Sequence, residues 1–297
     1  MGLWVDTDFG FDDLWALLVL EAEGVAIDGV SLVAGNSQLE QVCANALGAI
    51  HHFGFSWPIY KGAGGPLSRP LETAERVLGP KGMRSRGQFL PLVRAPHVQE
   101  AQPALASWLD SEGTKDVLAI GPLTNLALAY QSFPDKLQRL RSLTWMGGSR
   151  ARGNHTEHAE YNAFADADAL ATVLQHGAPL WVVDLELCRQ VTFGPADAPV
   201  LEDGLLADLL GGYLDIALSR GRERMAIYDP IAALAVVQPF LIKFERVNLS
   251  VHTENDSRYG QTEFNFVQPV NASIGTGIDP KITLQICIKA LKQRQNQ

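Results

Sequence analysis

The chain opens with Leu3-Trp4-Val5-Asp6-Thr7-Asp8-Phe9-Gly10-Phe11-Asp12-Asp13, four aspartates within eight residues, and runs on into the apolar stretch Leu14-Trp15-Ala16-Leu17-Leu18. The simplest reading is a short buried strand, a Gly-containing turn, and a helix that opens near Asp12. Strand alternation puts Asp6 and Asp8 on one face. Asp12 and Asp13 then stand at a helix start, where carboxylates cap free N–H groups and favour the dipole. Capping accounts for one or two of these acids but not for four. Like charges this close raise each other's pKa and oppose folding unless a cation gathers them. The stretch therefore reads as a hard metal site at the carboxyl end of a strand, against the plainer alternative of a capped helix with solvated acids.

The pattern that follows is an alternation of strands and helices. Asp13 to Glu23 reads as a helix stopped at Gly24, Ile27 to Val33 as a β-branched strand ending in Ala34-Gly35-Asn36, and Gln38 to His52 as a second helix. A short strand, Pro58 to Tyr60, leads into a stretch from Lys61 to His97 rich in Gly, Pro and Arg. A connection of that length is either a functional flap or a mobile insertion. Gln102 to Ser111 is helical, Asp116 to Ile120 a strand ending in Gly121-Pro122-Leu123-Thr124-Asn125, and a helix follows to about Phe133. Leu143 to Met146 is a strand ending in Gly147-Gly148, residues 149–165 are polar and irregular, Asp166 to His176 is helical and Leu180 to Leu185 a strand. Two helical stretches over Pro199 to Pro239 break near Tyr228-Asp229-Pro230. The tail from Phe244 to Val270 alternates like antiparallel or edge strands, and Lys281 to Lys292 closes with a helix. This order predicts one α/β domain over residues 1–297. Its sheet is open and mostly parallel, with helices on both faces and a few additional antiparallel strands near the C-terminus.

Composition narrows the function. Hydrophobic residues make up 46% and charged residues 19%, enough for a large core and against disorder. A net charge of −9 argues against nucleic acid as a partner. Cys43, Cys188 and Cys287 are odd in number and scattered, which predicts reduced core thiols. No apolar run approaches the ~20 residues of a membrane span, and a strand starting at residue 2 or 3 leaves no room for a signal peptide, so a cytoplasmic protein is expected. In open parallel sheets ligands bind beyond the carboxyl ends of the strands. The segments expected there carry Asp, Asn, Glu and Gly but no Gly-rich phosphate loop with Lys. That set suits a polyhydroxylated ligand such as a sugar.

These residues resemble the nucleoside hydrolase family, of the inosine–uridine-preferring type. Residues 6–13 are similar to its D-x-D-P-G-x-D-D signature, with Phe9 where Pro is usual. The resemblance continues, in the family's order, through Val33-Ala34-Gly35-Asn36, Gly121-Pro122-Leu123-Thr124-Asn125, Met146-Gly147-Gly148, Gly153-Asn154, Glu160-Tyr161-Asn162 and Asp229-Pro230. It implies a calcium ion held by Asp8, Asp13, Asp229 and the backbone carbonyl of Thr124, a hard oxygen set of the kind calcium takes. It further implies that Asp12 and Asn162 hold the 2′- and 3′-hydroxyls of a ribonucleoside, that Asn154 and Glu160 hold the 5′-hydroxyl, and that Asn36 steadies the site, with Asp6 in support. A water deprotonated with help from Asp8 would attack C1′ through an oxocarbenium-like transition state, giving ribose and free base. Family members are commonly dimers or tetramers, so a homo-oligomer active in nucleoside salvage is expected.

Two departures fall on the base side. Tyr228 stands where such members place a His able to protonate the departing base, and Leu78 stands where many have His. Tyr228 is the candidate leaving-group donor, and His155 and His158 read as solvated loop residues. Two other readings compete. One is a protein of the same fold that binds ribose or nucleoside without turning it over. The other is a phosphohydrolase of the haloacid dehalogenase type, which also starts with D-x-D but wants Thr or Val where Gly10 stands.

Overall fold

A computed structural model describes residues 2–93 and 98–293. The last four residues of the Lys61–His97 stretch therefore lie outside the described residues. Among the described residues eleven strands are present: β1 (Gly2–Thr7), β2 (Ile27–Leu32), β3 (Ile59–Lys61), β4 (Lys115–Ala119), β5 (Leu140–Met146), β6 (Leu180–Val183), the two-residue β7 (Thr192–Phe193) and β8 (Met225–Ala226), β9 (Ile242–Val251), β10 (Thr262–Asn265) and β11 (Ala272–Ile278). Nine of them form one sheet in the order β10-β9-β11-β6-β5-β4-β1-β2-β3, while β7 and β8 pair separately. From β11 to β3 every neighbour is parallel, and β9 and β10 add an antiparallel edge. The expected architecture is present, and its antiparallel part lies where the tail alternates.

β1 is central because its side chains satisfy both faces. Leu3 and Val5 enter the core on one side, Trp4 the core on the other, and all three are essentially inaccessible to solvent. A strand buried on both faces reads as a continuous apolar run, as Leu3-Trp4-Val5 does. Trp4 stacks on Tyr60 at 5.2 Å, and its indole N–H donates to Ser31 Oγ (2.8 Å), so the polar atom of the buried ring is satisfied. The helix Phe11–Ala22 buries Leu14 through Leu20 without a break and packs on the helices Asp229–Val237 and Pro280–Gln293. A helix that is apolar all round is a buried one.

Three features differ from the sequence expectation. The helix expected from Pro199 begins at Gly204, with Asp203 capping it by accepting from Leu206 N (3.0 Å). The strand expected to reach Leu185 stops at Val183, because Asp184 caps the short helix Leu185–Cys188 and accepts from Leu187 N (3.0 Å). β11 is an internal strand that the sequence hides. Its Ala-Ser-Ile-Gly-Thr-Gly-Ile composition is weak for a strand, and it is held by β6 on one side and β9 on the other.

Candidate active site

The strand order reverses about β1: β2 and β3 lie to one side, β4, β5 and β6 to the other. Such a switch point opens a crevice beyond the strands' carboxyl ends. The acidic turn sits there, over a cleft of about 850 Å³.

The turn is built by its own side chains. Thr7 donates its hydroxyl to Asp13 Oδ1 and accepts from Phe9 N (3.0 Å), while Gly10 N donates to Asp13 Oδ2 (2.8 Å). Phe9 has φ of 44°, a left-handed conformation that few non-glycine residues adopt. Asp8 is gripped from β2. Asn36 donates its backbone N–H to Asp8 Oδ2 (2.7 Å) and its side-chain amide to Asp8 Oδ1 (3.1 Å), and the same amide reaches Asp13 Oδ2 (3.2 Å). This approach requires Gly35, since a Cβ there would lie 2.2 Å from Asp8 Oδ2. Asp6 points into the sheet and accepts from Ser31 Oγ and from Asn125 Nδ2 (2.8 Å), which binds β1 to β2 and to the segment after β4. Burial pushes its carboxyl up to about 7.

Asp229 joins the cluster from the first position of its helix, and it has no hydrogen-bond partner among the described residues. Oxygens of Asp12, Asp13 and Asp229 lie within 4.8 Å of one another. The trio meeting that distance thus contains Asp12, where the expected ligand set has Asp8. Asp8 is tied to the group through charge. Burial first, then Asp13 and Asp12, hold its carboxyl well above the usual range. Asp229 is raised well above that range by burial, then by Asp12, Asp13 and Asp8, while burial followed by Asp13 pushes Asp12 up to about 7. Among the described residues none of the four forms an ion pair with Lys, Arg or His. Buried carboxylates without a counter-charge are costly unless protonated or gathered on a cation. An all-oxygen donor set of this kind fits a hard divalent ion such as calcium. Thr124 is buried at the start of the helix Thr124–Ser132, its hydroxyl donating to Asp166 (2.7 Å).

Neutral groups stand beside the acids. Asn162 Nδ2 donates to the carbonyls of Ile120 (3.3 Å) and Met146 (3.0 Å), at the ends of β4 and β5. Its Oδ1 has no protein donor among the described residues, and the residue lines the cleft. Glu160 accepts from Gly148 N (2.9 Å), Asn162 N (2.8 Å) and Ala163 N (3.0 Å), and burial pushes its carboxyl up to about 7. Asn154 Oδ1 accepts from Tyr161 N (2.9 Å). Asp8, Asp12, Asn36, Asn154, Glu160 and Asn162 all line the cleft, as do Tyr228 and Asp229, whereas Asp13 is buried beneath them.

On the far side, Tyr228 immediately precedes Asp229, and burial pushes its phenol up to about 12. Leu78 and Val77 belong to the short helix Glu75–Leu78 and face the cleft, so the Lys61–His97 stretch contributes a wall of the site. His155 corrects the expectation of a solvated residue. Its side chain is 13% exposed, packs on the Phe164 ring at 4.3 Å and contacts Glu72 (3.1 Å). Burial lowers its pKa. Two tyrosines were not singled out from the sequence. Tyr213, in the helix Gly204–Leu218, donates to Ala226 O (3.1 Å) and reaches Asp12 Oδ2 at 3.4 Å. Tyr161 reaches Gly35 O (2.5 Å) and Glu72 O (3.1 Å), tying the end of β2 to the facing wall. Tyr213 lies far along the chain from Asp12, and no spacing marks the pair.

A carboxylate floor favours positive charge developing on a sugar carbon, and the amide and carboxyl groups around it suit sugar hydroxyls. Fold and floor together define a hydrolase of N-ribosyl bonds. A profile of the family described as inosine-uridine preferring nucleoside hydrolase matches residues 3–285, and the chain belongs to that family. It is 31% identical over 286 residues to the non-specific ribonucleoside hydrolase RihC of Salmonella paratyphi C, covering 93% of this chain and 92% of that one. Its fold is similar to a purine-preferring ribonucleoside hydrolase from Gardnerella vaginalis (TM-score 0.89, 22% identity, 99% of each chain). It also resembles an inosine-uridine preferring nucleoside hydrolase from Bacillus anthracis (TM-score 0.75, 22% identity, 98% of this chain and 99% of that one). The family membership sets aside the phosphohydrolase reading. Among the described residues no helix is long and apolar enough to cross a membrane.

Proposed function

We propose that the protein hydrolyses ribonucleosides to ribose and free base in a calcium-dependent reaction, with Asp8 taking the proton of the attacking water. The observation that carries this reading is the group of four carboxylates, three buried and Asp12 partly so, without a cationic partner among the described residues, beside an Asn162 oxygen left free for a ligand. Asp8, Asp13 and Asp229, with the Thr124 carbonyl, would hold the ion. Bound there, calcium would lower the pKa of a neighbouring water and fix its position.

The rest falls to the chain. Asn36 fixes both oxygens of Asp8, so the proton acceptor is oriented before substrate arrives. Asp12 and Asn162 take the 2′- and 3′-hydroxyls, Asn154 and Glu160 the 5′-hydroxyl. Water adds its oxygen to C1′ as the C1′–N bond breaks, one proton passes to Asp8, and the base leaves with the bonding pair and takes up a proton from Tyr228 or solvent. The carboxylates stabilise the oxocarbenium character of the sugar in between. The relatives named as non-specific and as purine-preferring ribonucleoside hydrolases support the substrate class. One observation favours binding without turnover instead: Tyr228, pushed up to about 12, is a weak acid where the family carries His.

One experiment separates the two. Free base is measured across inosine, adenosine, guanosine, uridine and cytidine and their 2′-deoxy analogues, with calcium and with chelator. Release from at least one ribonucleoside, lost with chelator, is expected. The deoxy analogue should be slower by about tenfold or more, since a polar group left unpaired costs about 1–3 kcal/mol. Binding without any release would establish the second reading, and equal rates on deoxy substrates would remove Asp12 and Asn162 from the sugar.

A further inference from the structure

The floor of the cleft is acidic, but its mouth is basic. Five arginines reach its wall, Arg152, Arg189, Arg220, Arg222 and Arg224, against one exposed acid, Glu157, in a chain of net charge −9. Two of them are engaged within the fold. Arg189 donates to Glu186 and to the carbonyls of Arg152 (2.8 Å) and Gly153 (3.2 Å). Arg224 pairs with Asp197 (2.7 Å) and donates to Thr192 Oγ1 (2.9 Å). The side chains of Arg220 and Arg222 have no hydrogen bond or ion pair among the described residues, and both residues are exposed.

Their place in the fold is specific. They flank Gly221, whose φ of 71° turns the chain back after the helix Gly204–Leu218. That helix presents Tyr213, Ile216 and Ala217 to the cleft on the Tyr228 side. Val77 and Leu78 line the cleft as well. A ring attached to a ribose on the carboxylate floor would share the cleft with these apolar side chains, Tyr228 and the guanidinium groups.

A neutral base gives these guanidiniums no charge to pair with. An anion there would accept charge-assisted, bidentate hydrogen bonds from them. We propose that the site takes ribosides whose leaving ring carries a carboxylate, and that Arg220 and Arg222 select for it. This rests on the N-ribosyl hydrolase reading and narrows its substrate class. A phosphate on the 5′-hydroxyl is the other source of negative charge. It is disfavoured because the 5′ position falls beside the buried carboxyl of Glu160.

The test uses two pyridinium ribosides that differ only at ring position 3, one a carboxylate and one a carboxamide. Both release a neutral pyridine without needing a proton, so Tyr228 affects them alike. Uridine and uridine 5′-monophosphate complete the set, all assayed with calcium at low salt. The native enzyme should favour the carboxylate by about tenfold or more in kcat/KM. In the Arg220→Met/Arg222→Met double variant that preference should collapse to near unity, while kcat/KM on uridine stays unchanged. Equal rates on the two pyridinium ribosides, a preference that survives the double substitution, or faster cleavage of uridine 5′-monophosphate than of uridine would each overturn the proposal. Release from uridine without discrimination would defeat this inference alone. No release from any riboside would defeat the hydrolase reading beneath it.

Discussion

Asn36 holds both oxygens of Asp8, through its backbone N–H at 2.7 Å and its side-chain amide at 3.1 Å. The backbone bond survives any substitution that keeps the main chain, so the side-chain bond can be removed alone. Asn36→Ala should leave Asp8 gripped at one oxygen and free to rotate at the other. Kcat should fall by roughly ten- to a hundredfold, about 1.4–2.7 kcal/mol of transition-state stabilisation. KM should move far less, and thermal stability little. A fall in KM-dependent binding with kcat intact would place Asn36 on the substrate and not on Asp8.

The carboxylate cluster makes a prediction that crosses over with calcium. Asp229 is buried, raised in pKa and without a hydrogen-bond partner among the described residues, so in chelator its charge opposes folding. Asp229→Asn should therefore be more stable than the native protein in chelator and less stable in excess calcium. Calcium at about a hundred times its dissociation constant should stabilise the native protein by about 2.7 kcal/mol. Calorimetric melts of both proteins in the two buffers are sufficient. Parallel shifts would mean that Asp229 does not hold the ion.

Tyr228 lines the cleft with its phenol pushed up to about 12. Tyr228→Phe should lower kcat by roughly ten- to a hundredfold if the hydroxyl assists departure of the base. Tyr228→His should raise activity on at least one purine nucleoside, because imidazole titrates near neutrality and gives a proton more readily. An unchanged kcat for Tyr228→Phe on every substrate would remove the proton-donating role.

Glu160 carries a signed pH dependence. Its carboxyl titrates at about 7 in the folded chain against 4.5 for the free group, burial outweighing three backbone N–H donors. The folded state therefore keeps this proton to higher pH than the unfolded state does. The group's contribution to stability is full below 4.5 and is lost as pH rises through 7. The loss by pH 8 amounts to about 3 kcal/mol. Denaturant titrations in chelator at pH 5 and pH 8 should show a steeper decline for the native protein than for Glu160→Gln. Equal declines would show that Glu160 is ionised throughout.

The parts of this molecule legible in the sequence are those written locally. Leu3-Trp4-Val5 announces a buried strand, Gly24 a helix end, and the alternation of strand and helix a parallel sheet. Asp6 and Asp8 lie at the end of β1 and Asn36 follows β2, where the fold class alone directs attention, whereas Asn162 sits in the short helix Tyr161–Ala165. What was hidden is written over distance. β11 becomes a strand because β6 and β9 flank it, and its own residues hardly ask for it. Tyr213 meets Asp12 only once the helix Gly204–Leu218 is docked. The basic mouth is invisible in a chain of net negative charge, because residues 152, 189 and 220–224 are gathered only by folding.

The conformation of Phe9 bears on how such a chain diverges from its relatives. Proline is held near φ of −65°, whereas Phe9 sits at 44° and donates its amide hydrogen to Thr7 Oγ1. The family's proline cannot occupy this backbone or make this bond. Exchange of Phe9 for proline therefore requires the turn between Thr7 and Gly10 to be rebuilt with it, and with that turn the hold of Thr7 and Gly10 on Asp13.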